Sequence, residues 1–116
     1  MNRTEFKRQI GEWSDQEFND GVFYPFRSIG CAHHLKEEAE ELTEALEKYF
    51  TYPSAQTYAA LLEELADCDM LLLDILRLLE ISDDELLEAE QAKLEINKNC
   101  IWESVDNSGV INHKKD

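Results

Sequence analysis

Pairs of carboxylates spaced three residues apart are the clearest sign of chemistry in this sequence. Glu38 and Glu41 lie in one predicted helix, and Glu64 and Asp67 lie in the next. Because a helix advances ~100° per residue, side chains three positions apart project from the same side. If the two helices pack antiparallel, the four carboxylates converge on one groove. Oxygen-only ligands suit hard cations, so the pattern predicts a site for Mg²⁺ or Mn²⁺.

The same spacing also fits a protein without catalytic activity. The run KEEAEEL is typical of a solvated helix face, and i,i+3 pairs arise by chance among 26 acidic residues. A non-catalytic acidic helical module that oligomerises and binds a basic partner is therefore the alternative. None of the three histidines follows a Glu by three positions, which disfavours a di-iron carboxylate bundle. The sequence also has no P-loop and no nucleophilic triad pattern.

The composition restricts the class of partner. The chain has 116 residues, with 11 Lys and Arg against 26 Asp and Glu, and its formal net charge is −15. This charge argues against duplex nucleic acid and against anionic membrane surfaces. The most apolar stretch, residues 70–79, is far shorter than the ~20 residues that cross a bilayer. Three widely spaced cysteines and the lack of a signal-peptide pattern predict a reducing cytoplasmic location.

Hydrophobic periodicity predicts a single all-α domain, a bundle of four to five helices completed by oligomerisation. The predicted helices cover about residues 4–16, 31–50, 56–79 or 80, and 82–101 or 102. An aromatic-rich loop is expected at 19–30 and an irregular C-terminal tail at 103–116. The fourth helix is expected to start at a capping box, Ser82 with Glu85.

Each central helix has a predicted buried direction. In the second helix, the apolar stripe expected to face the core is Leu35, Ala39, Leu42, Leu46 and Tyr49. In the third helix, Leu65 marks the expected core direction, and Asp69 on its apolar side predicts an interhelical hydrogen bond. Residues 70–79 are apolar nearly all round, and such a helix must be buried on several sides. A homodimer or homotetramer is therefore predicted.

Other residues are candidates for substrate binding. Four aromatic side chains near the first loop could stack a purine, although core packing is the favoured role for each: Trp13, Phe18, Phe23 and Phe26. His34 begins the acidic helix, where an orienting role competes with a plain surface position. Lys93 and Asn97 stand one helical turn apart, so both can reach the same ligand.

Longer segments carry a family resemblance. HHLKEEAEELTEAL followed by EELADCDMLLLDIL resembles the MazG-like all-α NTP pyrophosphatases, whose pattern is E-E-x-x-E followed by E-x-x-D. The segments EWSDQEF, HLKEE, KLEINKNCIW and INH are similar to the MazZ-like dATP/dGTP pyrophosphohydrolase branch, which has members in phages and bacteria. The resemblance covers about residues 12–113.

This resemblance implies a reaction and a metal site. The reaction is dNTP + H₂O → dNMP + pyrophosphate, which would control the nucleotide pool. The residues implied to hold two or more Mg²⁺ or Mn²⁺ ions are Glu38, Glu41, Glu64 and Asp67. Glu37 is implied as an outer ligand or base, so the implied catalytic group is Glu37, Glu38 and Glu41.

The resemblance also implies where the substrate's phosphate or sugar binds. Lys93 and Asn97 match a K-x-x-x-N pattern that serves this purpose in relatives. Cys100 stands where the branch usually has Arg, which weakens the expectation of phosphate binding by this helix. Pyrimidine or damaged dNTPs remain alternative substrates for the same fold.

Overall fold

The computed structural model describes residues 1–19 and 24–114, except for the side chain of Asn19. It contains helices α1 (Arg3–Asn19), α2 (Arg27–Thr51), α3 (Ala55–Leu78) and α4 (Asp83–Lys98). No strand occurs in these described ranges, so the all-α prediction is confirmed. Within the same ranges, no helix combines the length and apolar character needed to span a membrane.

Helix α2 begins earlier than the sequence predicted. The backbone N–H of Arg27 donates to Tyr24 O at 3.0 Å, and that of Ser28 donates to Pro25 O at 3.1 Å. This turn leads directly into the helix, and proline is compatible with a helix start because its missing N–H has no intrahelical partner there. Residues 27–30 of the predicted loop are therefore helical, residue 19 ends α1, and residues 24–26 belong to this turn. The loop positions 20–23 lie outside the described residues.

Helix α3 has defined caps at both ends. Ser54 Oγ accepts from Thr57 N at 3.0 Å, and Thr57 Oγ1 accepts from Ser54 N at 3.0 Å, which closes a capping box. At the other end Ile81 N donates to Leu76 O at 2.9 Å. Glu80 has φ of 56°, the left-handed conformation typical of this helix stop. Sequence periodicity had placed the end of α3 correctly, within one or two residues.

The buried side of α2 is rotated from the predicted stripe. Ala39 and Leu46, which belong to that stripe, are exposed. The buried or half-buried positions instead follow a 4,3 repeat: Cys31, Leu35, Glu38, Leu42, Ala45 and Tyr49. Leu35, Leu42 and Tyr49 are common to both sets, but this repeat contains Glu38. A carboxylate therefore lies in the seam where α2 packs on α3.

The predicted core direction of α3 is wrong. Leu65 is 45% exposed, and Leu62 and Leu72 are similarly exposed on its side of the helix. The side facing α2 carries Leu61, Glu64, Cys68, Leu71 and Leu78. Because leucines stand on both of these sides of α3, hydrophobicity alone does not distinguish the side that meets α2 from the side left open.

Helix α1 packs on the second half of α3. Ile10, Leu73 and Leu76 form a buried cluster, with Phe6 and Ile81 packed against it. The predicted interhelical bond of Asp69 is confirmed. Arg3 donates to both Asp69 carboxylate oxygens, at 2.8 and 3.0 Å.

By backbone contacts the chain divides into two compact units, Met1–Ser82 and Asp83–Asp116. In the second unit α4 has no buried residue and ends at Lys98, before the predicted end. The segment after it is irregular but folds back on itself. Glu103 N donates to Asn112 O, and Lys114 N donates to Ile101 O, both at 2.8 Å. At its tip Gly109 has φ of 86°, a conformation that favours glycine.

Candidate functional site

Three of the four predicted metal ligands converge between α2 and α3. Glu38, Glu41 and Glu64 each place one carboxylate oxygen within 4.8 Å of the others. The 4,3 repeat brings Glu38 and Glu64 into the helix seam, and Glu41 stands one turn after Glu38 at its edge. Asp67 lies outside this three-residue group, although its charge still acts on Glu64.

The carboxylates of this group repel one another. The pKa of Glu64 is raised from 4.5 to about 7, first by desolvation and then by the charge of Glu41. Hydrogen bonding to Glu38 and the charges of Glu38 and Asp67 raise it further. The pKa of the neighbouring Cys68 thiol is also raised, by desolvation and by the same carboxylates. The site therefore concentrates negative charge in a place that water only partly reaches.

The donor set fits a hard divalent cation. Glu38 Oε2 and Glu64 Oε2 are both buried and have no hydrogen-bond partner among the described residues. A buried carboxylate oxygen without a partner is costly, and a bound cation removes this cost together with the repulsion. Glu38, Glu41 and Glu64 would hold such an ion, with Asp67 nearby. Oxygen donors alone favour Mg²⁺ or Mn²⁺ over softer metals.

An elongated cavity of about 420 Å³ adjoins this group. Along α2 it is lined successively by Arg27, Gly30, Cys31, His34 and Glu38. At 1.5 Å per residue, the two ends of this series are about 16 Å apart along the helix. The carboxylate end is therefore well separated from the arginine end, and one ligand with two chemically different halves can fill the space.

The walls of the cavity are mostly aromatic and aliphatic. Trp13 and Phe18 line it from α1, with their rings in a T-shaped contact at 5.5 Å. Met70 and Leu71 line it from α3. Trp13 is 55% and Phe18 is 60% exposed, so the expectation that these aromatics are core residues is wrong.

Phe26, a further aromatic candidate, does not contribute to these walls. Phe26 is 69% exposed and contacts Tyr24, and Phe23 lies outside the described residues. The solvent-exposed aromatic rings of α1 are therefore the ones that suit stacking on a flat base.

A buried ionic network forms the far end of the cavity. Asp74 Oδ2 accepts from Ser14 Oγ at 2.9 Å and from Arg27 at 3.3 Å. Asp74 Oδ1 accepts from Arg77 Nε at 2.9 Å, and Arg77 and Arg27 both also bind Asp15. The network joins α1, α2 and α3 at one point.

The cysteine of this end is also bound to the network. Cys31 Sγ donates to Asp74 Oδ2 at 3.8 Å, and burial and the charge of Asp74 raise the pKa of the thiol. Cys31 is buried, while Cys68 and Cys100 are half-buried.

No sequence pattern indicated this end of the cavity. No spacing along the chain relates either Ser14 or Arg27 to Asp74. A signal for buried charge was present, since Asp74 and Arg77 stand three residues apart in the most apolar stretch of the chain. Charged residues in such a stretch are tolerated when other polar or charged side chains bind them. Here those partners lie on α1 and α2.

The remaining predicted residues lie in different surroundings. His34 lines the cavity, and its Nε2 lies 3.1 Å from Glu38 Oε1. Glu37 is exposed on α2. Lys93 and Asn97 line a shallow depression on α4 within the second unit, where Asn97 Oδ1 is buried without a partner among the described residues.

Comparisons with known proteins identify the family. No curated protein and no solved structure matches the chain. A family model described as dATP/dGTP pyrophosphohydrolase matches residues 6–116, nearly the whole sequence. The match agrees with the resemblance found in the carboxylate motifs, and the all-helical fold places those motifs together at one site. The chain therefore belongs to the dATP/dGTP pyrophosphohydrolase family.

Proposed function

We propose that this protein hydrolyses dATP and dGTP to the monophosphate and pyrophosphate, using Mg²⁺ or Mn²⁺ held by Glu38, Glu41 and Glu64. The observation that carries the proposal is the convergence of these three carboxylates beside an elongated, aromatic-walled cavity. If these carboxylates belonged to a solvated helix face, their oxygens would be exposed to water. Instead, one oxygen of Glu38 and one of Glu64 are buried without a hydrogen-bond partner among the described residues. Family membership supports the same chemistry.

The chain's own residues have distinct tasks in this proposal. Bound metal, two or more ions by the resemblance, supplies positive charge that polarises phosphoryl oxygens and acidifies water. Without it a chain of net charge −15 would repel a triphosphate. Glu37 is the proposed outer ligand or base, and Asp67 is a further carboxylate close enough to orient water. His34 fixes one oxygen of Glu38 through their 3.1 Å contact.

The chemical difference between the two ends of the cavity supports one orientation of the substrate. The triphosphate lies at the carboxylate end, and the base extends along the cavity toward Ser14 and Arg27. Trp13 offers an exposed ring on which a purine stacks. Lys93 and Asn97 are proposed to bind phosphate or sugar, as the family pattern implies.

Assay of each dNTP with Mg²⁺ tests the reaction. We expect dAMP and pyrophosphate from dATP, and dGMP and pyrophosphate from dGTP. Turnover of pyrimidine or damaged dNTPs alone would show that the enzyme acts on a different class of substrate. Release of orthophosphate would show that a different phosphoanhydride bond is cleaved. No turnover of any nucleotide would favour the alternative of a non-catalytic acidic module, for which the exposed Glu face of α2 is the supporting feature.

We also propose that the protein works as a homodimer or homotetramer in the cytoplasm. Leu62, Leu65 and Leu72 on one side of α3, and Leu79 directly after the helix, are 45–49% exposed. The same apolar side of a second copy of the chain would bury these leucines, since repeated exposed leucines on one helix mark an interface. Light scattering should give at least twice the 13.5 kDa chain mass, and Leu65→Glu with Leu72→Glu should lower it. A wild-type monomer at micromolar concentration would contradict this proposal.

A further inference from the structure

The hydroxyl of Ser14 has a fixed direction at the far end of the cavity. Ser14 is 1% exposed and donates its hydrogen to Asp74 Oδ2 at 2.9 Å. The oxygens of Asp74 also face the guanidinium groups of Arg27 and Arg77, so this carboxylate acts as an acceptor. With its one hydrogen committed, Ser14 Oγ offers only lone pairs to a ligand. It is therefore an acceptor.

A hydrogen-bond donor stands beside this acceptor. Arg27 gives one N–H bond to Asp74 and one to Asp15, both at 3.3 Å. Its Nε is buried and has no partner among the described residues. A guanidinium carries five N–H donors, so several remain available. Its carbon also lies 5.7 Å from the centre of the Phe18 ring, which steadies the group at the cavity wall.

The two purines differ at the position that such a pair distinguishes. Adenine carries an amino group at carbon 6, which donates, whereas guanine carries a carbonyl oxygen there, which accepts. A site with only an acceptor would exclude guanine, and a site with only a donor would exclude adenine. An acceptor and a donor side by side accommodate either base with a small shift of the ring.

We propose that Ser14 and Arg27 bind the substituent at carbon 6 of the purine, with Ser14 Oγ accepting from the amino group of adenine and Arg27 donating to the carbonyl of guanine. The assignment rests on the proposed function for the orientation of the substrate, with phosphates at the Glu38 end. It makes these two residues determinants of base specificity, and it explains how one pocket serves both purines.

The test compares dATP, dGTP and the deoxynucleoside triphosphate of unsubstituted purine, which has hydrogen at carbon 6. In the wild-type protein we expect kcat/KM for dATP to exceed that for the unsubstituted analogue by about 3- to 10-fold, the effect of one neutral hydrogen bond. Ser14→Ala should remove this preference, so that kcat/KM for dATP falls to the value for the unsubstituted analogue. Ser28→Ala, on the same unit but outside the cavity lining, is the matched control and should retain the preference.

The arginine is tested through a ratio, because Arg27 also holds Asp74 and Asp15 in place. In Arg27→Lys we expect the ratio of kcat/KM for dGTP to that for dATP to fall by about tenfold or more, as for a lost charge-assisted bond. A general loss of structure would lower both values and cancel in this ratio. An unchanged ratio would overturn the role of Arg27.

Binding of the monophosphates separates this proposal from the proposed function. Calorimetry with dAMP and with the unsubstituted purine monophosphate measures the Ser14 contact without any turnover. An equal affinity of the wild-type protein for both ligands would overturn the assignment of Ser14, even if dATP is hydrolysed. A preference for dAMP that Ser14→Ala removes would support it, even if triphosphate hydrolysis fails.

Discussion

Gly11 on α1 lies directly against the side chain of Arg77 on α3. A Cβ atom at position 11 would overlap Arg77 Cδ and Nε, because the arginine crosses the helix there on its way to Asp15. The absence of a side chain at Gly11 thus lets a buried ionic network join two helices. The same network holds Arg27 and Ser14 at the end of the cavity.

Gly11→Ala should therefore destabilise the protein, although alanine normally favours a helix. We expect a loss of about 1–3 kcal/mol in the free energy of unfolding, as for other overpacked sites. Gly30→Ala is the matched control, because a Cβ there meets no atom of the described residues within 4 Å. Its expected effect is a gain of about 0.5–1 kcal/mol. Denaturant unfolding of the two variants measures both changes, and equal effects would contradict the packing argument.

Divalent metal should stabilise the folded protein through the three-carboxylate group. At a free Mg²⁺ or Mn²⁺ concentration of 100 times Kd, the expected gain is about 2.7 kcal/mol. Glu64→Gln should lose most of this gain, since it removes one ligand charge from the site. Glu44→Gln removes the same charge from the exposed side of α2 and should keep the gain. Melting curves with and without metal measure the stabilisation of each variant. An equal stabilisation of both variants by metal would argue against the site.

The stability of the metal-free protein should depend on pH through the titration of Glu64. Its pKa is about 7 in the folded state against an ordinary value of 4.5, so the folded state binds the proton more tightly than the unfolded state. A raised pKa of this kind contributes stability that is complete below the ordinary value and is lost as the pH rises through about 7.

Glu64→Gln isolates this contribution. In the presence of a chelator, we expect the variant to melt close to the wild type at pH 4.5 and above it at pH 8, because only the wild type then carries the repelling charge. Melting temperatures across this pH range measure the difference between the two proteins. A difference that stays constant with pH would show that Glu64 does not titrate in this interval.

The fourth helix can be tested separately from the metal site. Lys93→Ala should lower kcat/KM by about tenfold or more, which corresponds to about 1.5–3 kcal/mol for one charge-assisted contact. Cys100→Ala should be nearly silent, because a thiol is too short and too weak a donor to replace an arginine. Cys100→Arg should strengthen substrate binding. Unchanged kinetics for Lys93→Ala together with inactivation by Cys100→Ala would reverse the assignment of the phosphate-binding end.

The helices and the types of residue at the metal site could be predicted because both depend on short-range patterns. The 3.6-residue periodicity acts within a few positions of the chain. The i,i+3 spacing of Glu38 with Glu41 likewise follows from helix geometry alone. These features needed no knowledge of which helix packs on which.

The direction in which each helix faces could not be derived in the same way. On α3, Leu65 and Leu61 are equally apolar, yet the first is 45% and the second 9% exposed. The choice between them depends on the surface of α2 and on the position of α1, which are long-range contacts. The rotation brings Glu38 and Glu64 into the same seam, and this creates the buried, unpartnered oxygens of the site.

The sequence by itself determined an acidic, helical chain with carboxylate pairs at fixed spacing, because these properties are local. Only the tertiary structure decided that Ser14, Arg27 and Asp74 meet at the end of a cavity. These three residues come from α1, α2 and α3, and no spacing along the chain relates them. Their hydrogen bonds exist because the packing of three helices removes them from water together, so that each polar group must find its partner on another helix.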